Sequence, residues 1–248
     1  MIRVLLLGGT REARDLAETL SAAPQFEVVS SLAGRVGEPV LPVGQVRIGG
    51  FGGPDGLREW LAAGGIDVVV DATHPFAATM SAHAATATAA LGLPLLRLCR
   101  PGWSAGPRDR WIRVPDLAAA AETVATQGER VFLTIGRQGV GAFAALPQWF
   151  LIRAIDPPAE LPARHELLLA RGPFTVADEI ALLAAHRIDL MVTKDSGGDL
   201  TAAKLAAARD RGIPVVVVDR PPLPPRGRQV ETVADAAAWL DRFASGGA

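Results

Sequence analysis

Short runs of branched aliphatic residues punctuate the chain, and segments with helical periodicity lie between most of them. Examples are the runs at 4–7 (Val-Leu-Leu-Leu), 68–70 (Val-Val-Val), 131–133 (Val-Phe-Leu) and 215–218 (Val-Val-Val-Val). Such runs do not alternate apolar with polar, so both faces of each strand must be covered. That is the mark of parallel strands sandwiched between helices. Strands are expected at 2–7, 27–31, 45–48, 67–70 and 95–98, and helices at 11–21, 55–63 and 77–91. A Pro- and Gly-rich stretch at 100–107 interrupts the pattern, which then restarts. Further strands are expected at 111–114, 130–134, 149–153, 167–170, 190–193 and 215–218. Helices are expected at 116–126, 139–144, 175–184, 201–209 and 234–244. The division this implies is a first domain of residues 1–99 and a second of 100–248.

Composition removes several classes of function. The net charge is -1, so no overall field draws the chain to nucleic acid or an anionic membrane. Cys99 is the single cysteine, which excludes an internal disulfide framework and a cysteine metal cluster. No pair of histidines has metal-ligand spacing, so no metal is expected. No apolar stretch approaches the ~18 residues that span a bilayer, and no leader is read at the start, so a cytoplasmic protein is expected. The 25 cationic residues include only two lysines, Lys194 and Lys204.

The first strand runs into Gly8-Gly9-Thr10-Arg11-Glu12-Ala13 and a helix, an arrangement related to the dinucleotide-binding turn. Gly8 and Gly9 allow backbone N–H groups to approach a phosphate, and the helix N-terminus favours negative charge. Thr10 offers a hydroxyl as helix cap or phosphate donor. A plain tight turn with a capped helix is the alternative. At the end of the second strand a NAD site carries an acid, but this chain reads Ser30-Ser31-Leu32-Ala33-Gly34-Arg35. A hydroxyl pair, Ser31 included, with Ala33, Gly34 and the Arg35 guanidinium suits a 2′-phosphate, hence NADP. Arg11 and Arg14 are placed to assist.

Three further strand ends carry polar clusters. Asp71-Ala72-Thr73-His74-Pro75-Phe76-Ala77 is the densest. Asp71 or Thr73 can cap the next helix and Pro75 can start it, whereas His74, held at a strand end before a proline, is poised to touch a ligand or donate a proton. Thr134-Ile135-Gly136-Arg137 puts a glycine and an arginine where an anion or carboxamide can bind. Thr193-Lys194-Asp195-Ser196-Gly197-Gly198 sets a rare lysine beside an acid and a turn of potential anion-binding amides. Polar strand ends in both halves point to an α/β fold of two Rossmann-like lobes, with parallel sheets flanked by helices and an interdomain cleft.

Together these blocks, in this order along the chain, resemble the precorrin-6A reductase family of cobalamin biosynthesis. The Asp71–Ala77 block is the most specific of them. Two departures stand out: Phe76 occupies a position where the family often has Tyr, and the glycine run after Ser196 is short. The resemblance implies reduction of a carboxylate-rich tetrapyrrole, precorrin-6A, to precorrin-6B, with NADPH as hydride donor. Contact with neighbouring pathway enzymes would be transient. It assigns Gly8, Gly9, Thr10, Arg11, Arg14, Ser31, Ala33, Gly34, Arg35, Asp71, Thr73, His74, Pro75, Gly136 and Arg137 to the cofactor. Arg137, Lys194, Ser196, Gly197 and Gly198 go to the substrate. His74, Lys194 and Asp195 are the candidates for catalysis. An NADP-dependent reductase of another substrate, or a non-catalytic NADP sensor, are the other readings the residues allow.

Overall fold

The computed structural model describes residues 1–34, 37 and 39–246. The chain forms two units, each with a six-stranded parallel sheet. The first unit comprises Met1–Arg100 together with Pro222–Ala248, and the second Pro101–Pro221. The expected second domain of 100–248 therefore ends early, because the last segment returns to the first sheet.

In the first unit the strands are β1 (Ile2–Leu7), β2 (Phe26–Leu32), β3 (Gln45–Ile48), β4 (Val68–Asp71), β5 (Leu95–Leu98) and β12 (Arg228–Val230). Their order is β12-β5-β4-β1-β2-β3. The helices are α1 (Arg11–Ser21), α2 (Gly53–Ala63), α3 (Ala78–Leu91) and α7 (Val233–Ala244). Successive residues of β1 face opposite layers. Val4 and Leu6 pack with Leu16 and Leu20 of α1 and Leu240 of α7. Leu5 and Leu7 pack with Leu57 and Leu61 of α2 and Ala84 and Ala87 of α3. Each of these buried leucines contributes on the order of 2 kcal/mol through removal from water. Helix α3 ends at Gly92, whose φ of 66° closes it in the left-handed region.

In the second unit the strands are β6 (Trp111–Val114), β7 (Arg130–Thr134), β8 (Trp149–Ala154), β9 (His165–Leu169), β10 (Leu190–Lys194) and β11 (Val215–Val218). Their order is β6-β11-β10-β7-β8-β9. Helices α4 (Leu117–Gln127), α5 (Val176–Ala185) and α6 (Ala203–Asp210) complete it. Thr175 and Asp178 form a reciprocal capping box at the start of α5. Two expected helices are altered: residues Arg137–Phe143 form a 3-10 segment, and a 3-10 turn at Asp199–Thr201 precedes α6.

Each sheet reverses direction once. The chain steps from β1 outward through β2 to β3, then crosses to β4 on the other side of β1. It likewise steps from β7 through β8 to β9, then crosses to β10. Ligands in open parallel sheets bind beyond the carboxyl ends of the strands at these reversals. All four polar strand ends that flank a reversal, after β1, β4, β7 and β10, are the clusters singled out in the sequence.

Candidate functional site

At the first reversal, Leu7 of β1 lies in register with Asp71 of β4. Gly9 has a φ of +112°, which only glycine adopts without strain, and the turn it makes opens α1. Thr10 caps α1: its Oγ accepts from the Ala13 amide at 3.1 Å and donates to the Ala72 carbonyl at 2.8 Å. Its hydroxyl proton is thereby committed to joining the two strand ends. Ala13 is buried against the turn. A small hollow sits here, lined by Gly8, Gly9, Ala13, Arg14, Ser30, Leu32, Val40 and Pro42. The Oγ of Ser30 is buried beside it, with no hydrogen-bond partner among the described residues. A buried hydroxyl left unpaired costs about 1–3 kcal/mol, so a ligand atom that reached it would be favoured. Glycines that leave room, a capped helix start and an unsatisfied hydroxyl fit a nucleotide phosphate and ribose.

At the end of β2, Ser31 lies in register with Arg47 of β3. Gly34 has a φ of +68°, Ala33 is exposed, and Arg35 lies outside the described residues. Arg11 is exposed and pairs with Asp15 at 3.4 Å.

The acid of the β4 cluster is structural. Asp71 is buried, and its Oδ1 accepts from the Thr73 amide at 3.2 Å and the Thr73 hydroxyl at 2.7 Å. Its Oδ2 faces the buried Arg97 guanidinium at 3.7 Å. Neither Asp71 nor Thr73 caps α3, and Pro75 does not start it. The cap position is Ala77, without a side-chain bond, because His74 to Ala77 first forms a turn closed by Ala77 N–H to His74 C=O at 2.7 Å. His74 is exposed, and its Nδ1 accepts from the Phe76 amide at 3.2 Å. That bond selects the tautomer with its proton on Nε2.

At the second reversal, the Thr134 hydroxyl on β7 donates to the Val192 carbonyl on β10 at 3.1 Å. Gly136 has a φ of +75°, and the half-exposed Arg137 faces Asp156 at 3.9 Å. The Lys194–Gly198 loop is clasped by the connection that precedes β6. Asp195 is buried, accepting from the Trp103 amide at 2.9 Å and from Arg113 Nη2 at 2.9 Å. Arg220 donates to the Asp195 carbonyl at 2.8 Å and to the Pro101 carbonyl at 3.1 Å, and the Trp103 indole donates to Gly198 at 3.1 Å. Both carboxylate oxygens of Asp195 are thus taken up by donors from the connection and from β6. Arg113 gains in turn, its pKa raised by its bond to Asp195. Lys194, partly buried, is shifted the other way: desolvation pulls its pKa below the ordinary lysine value.

Lys204, the other lysine, is buried on α6 with Nζ 5.2 Å from the Trp103 ring, near the Arg153–Glu179 pair, which closes at 2.7 Å. Burial first, and Arg153 second, lower its pKa from 10.5 to about 8, with Glu179 opposing. Between pH 8 and 10.5 the unfolded chain therefore binds more protons than the folded one, and stability rises with pH across that window. With no tyrosine and only two lysines, few other groups titrate there. Lys204→Met leaves Arg153 and Glu179 balanced. It is expected to stabilise the protein at pH 7 by up to about 3 kcal/mol, with the gap closing towards pH 10.5. Urea unfolding of both proteins across that range checks this. A difference that stays flat with pH contradicts it.

Sequence reasoning passed over Arg47, Arg97 and Arg113. Arg47 was visible as a cation near the end of an expected strand, but its neighbour Ser31 is set by register. Among the described residues no group of three or more His, Cys, Asp or Glu side chains can hold a metal ion. No helix among them is long and apolar enough to cross a membrane.

Two doubly wound parallel sheets, with polar strand ends at each reversal and a glycine turn opening a capped helix, define a nucleotide-binding α/β enzyme class. The chain belongs to the precorrin-6x reductase CbiJ/CobK family, whose sequence profile matches residues 3–241. It is 59% identical to a precorrin-6A reductase of Rhodococcus erythropolis, over 97% of this chain and 98% of that one. It is 56% identical to a precorrin-6A reductase of Mycobacterium tuberculosis, again over 97% and 98%. Among solved structures, a CobK precorrin-6A reductase superposes with a TM-score of 0.90 at 45% identity, covering 97% of this chain and 96% of that one.

Proposed function

We propose that this chain reduces precorrin-6A to precorrin-6B with NADPH. The observation that carries the reading is a family match running through both units rather than through the nucleotide turn alone. When bound, the dihydronicotinamide supplies a hydride to a double bond of the macrocycle, and a proton completes the reduction.

The residues divide the remaining work. Gly8, Gly9 and the N-terminus of α1 hold the pyrophosphate, Ser30 and Ser31 meet the ribose side, and Thr10 keeps the ends of β1 and β4 together. Asp71 orients Thr73, and Thr73 and His74 line the cofactor's path as binding groups. Gly136 and Arg137 suit a carboxamide or a substrate carboxylate. Lys194 and the Ser196–Gly198 amides suit substrate carboxylates, and the lowered pKa of Lys194 makes it the readier proton donor. Asp195 acts as a positioning residue for that loop. Cytoplasmic location follows from the nature of the substrate and cofactor.

Anaerobic mixing with precorrin-6A and NADPH is expected to consume reduced nicotinamide and yield a product heavier by two hydrogens. NADH is expected to serve far less well. No consumption with precorrin-6A overturns the substrate assignment. Equal use of NADH overturns the cofactor assignment.

A further inference from the structure

We propose that Arg47, with Ser31, reads the 2′-phosphate that distinguishes NADP from NAD; this rests on the NADPH reading above. Arg47 stands beside the end of β2, in register with Ser31, at the place where an acid would bind the ribose hydroxyls of NAD. Its guanidinium lies 3.8 Å from the centre of the Phe51 ring and 5.7 Å from that of Trp60. Nη1 donates to Ser31 Oγ at 3.1 Å and to the Gly49 carbonyl at 2.9 Å, and Nη2 donates to the Gly50 carbonyl at 3.0 Å. Every one of these partners is neutral.

Three other arginines of this unit are balanced by an acid. Arg3 faces Glu27, Arg97 faces Asp71 and Arg100 faces Glu12. Among the described residues no carboxylate lies within ion-pair distance of Arg47, and burial lowers its pKa without an acid to offset the effect. A cation held part-buried against an aromatic face, with no carboxylate within ion-pair distance among the described residues, is set up to receive an anion. Its rotamer is already fixed by three hydrogen bonds, so little freedom is lost on binding. A phosphomonoester dianion accepts charge-assisted bonds from such a fork. Ser31 accepts from Arg47, which leaves its hydroxyl proton to donate to the same phosphate. An acid at position 31, as in a NAD site, would neutralise the guanidinium instead.

The test titrates the full chain with NADPH and NADH, and with adenosine 2′,5′-bisphosphate and AMP, which carry no nicotinamide. The wild type is expected to favour the 2′-phosphorylated member of each pair. Arg47→Met keeps an apolar chain against Phe51 and is expected to weaken that member by about 10- to 100-fold, with NADH and AMP within about 3-fold. Arg47→Lys should recover part of the preference. Ser31→Ala, which leaves the clamp by Gly49 and Gly50 in place, should lose part of it and serves should the Met variant not fold. Equal weakening of both members in Arg47→Met means that Arg47 only braces the loop, and overturns the proposal. So does an unchanged preference, which leaves the NADPH reading standing. A wild type without preference for either 2′-phosphorylated compound overturns both.

Discussion

Gly197→Ala is expected to lower kcat/KM for precorrin-6A by 100-fold or more while leaving NADPH binding within about 3-fold. Gly197 has a φ of +65°, a conformation that costs an alanine on the order of 1 kcal/mol. Space is the larger obstacle. A Cβ there would overlap the Pro101 carbonyl oxygen and sit 2.7 Å from Arg220 Nη2. Neither neighbour can give way cheaply: Pro101 is backbone, and Arg220 is anchored to the Asp195 carbonyl at 2.8 Å. Overpacking of this kind adds about 1–3 kcal/mol, and the loop relieves it by moving. A shift of about 1 Å in positioning groups is enough for a 10²-fold loss of rate, and Lys194 and Ser196 would move with the loop. Gly212→Ala, in the turn before β11 and away from the polar strand ends, is the control, because its φ is +66° but nothing described lies within 4 Å of an added Cβ. It should cost about 1 kcal/mol of stability and much less activity. Steady-state rates beside cofactor titrations separate the two effects. Turnover of Gly197→Ala within about 3-fold of the wild type removes the Lys194–Gly198 loop from the reaction.

The apolar runs located most strands and helices to within one or two residues, since buried parallel strands must be apolar on both faces. The chain's return to the first sheet left no such trace. Strand β12 is Arg228-Gln229-Val230, three residues on a sheet edge with no apolar period, and it pairs with β5 through register alone. Missing it moved the domain boundary to the C-terminus. The site shows the same divide. Polar clusters at strand ends were legible because glycines and charges there interrupt apolar runs. The partners of those clusters were not. Asp71 and Asp195 look like chemistry in sequence, yet Arg97 and Arg113, which hold them, sit on other strands, and only the strand order brings them close. Both acids read as catalytic or cofactor groups for want of a visible counter-ion.

The largest expected effect on stability follows from that hidden partner. Asp71→Asn keeps the shape and the acceptor for Thr73 but removes the charge facing Arg97. Arg97 is buried, and among the described residues its Nε and Nη2 have no hydrogen-bond partner. Removing one member of a buried pair leaves an uncompensated charge and costs about 3–5 kcal/mol, more than the pair itself contributes. The damage should reach the C-terminal segment, because Arg97 Nη1 also donates to the Pro224 carbonyl at 2.6 Å. That bond ties down the start of the stretch carrying β12 and α7, whose Leu240 and Ala236 complete the core against α1. Urea unfolding should show the loss, and proteolysis should cut near 222–227 sooner than in the wild type. Arg97→Met in the same background removes the stranded charge, so the double variant should recover more than half of the stability lost by Asp71→Asn alone. If Asp71→Asn stays within about 1 kcal/mol of the wild type, the pair is not what holds this end of the sheet. If the double variant is weaker than the single one, Arg97 stabilises the fold through Pro224 rather than through Asp71.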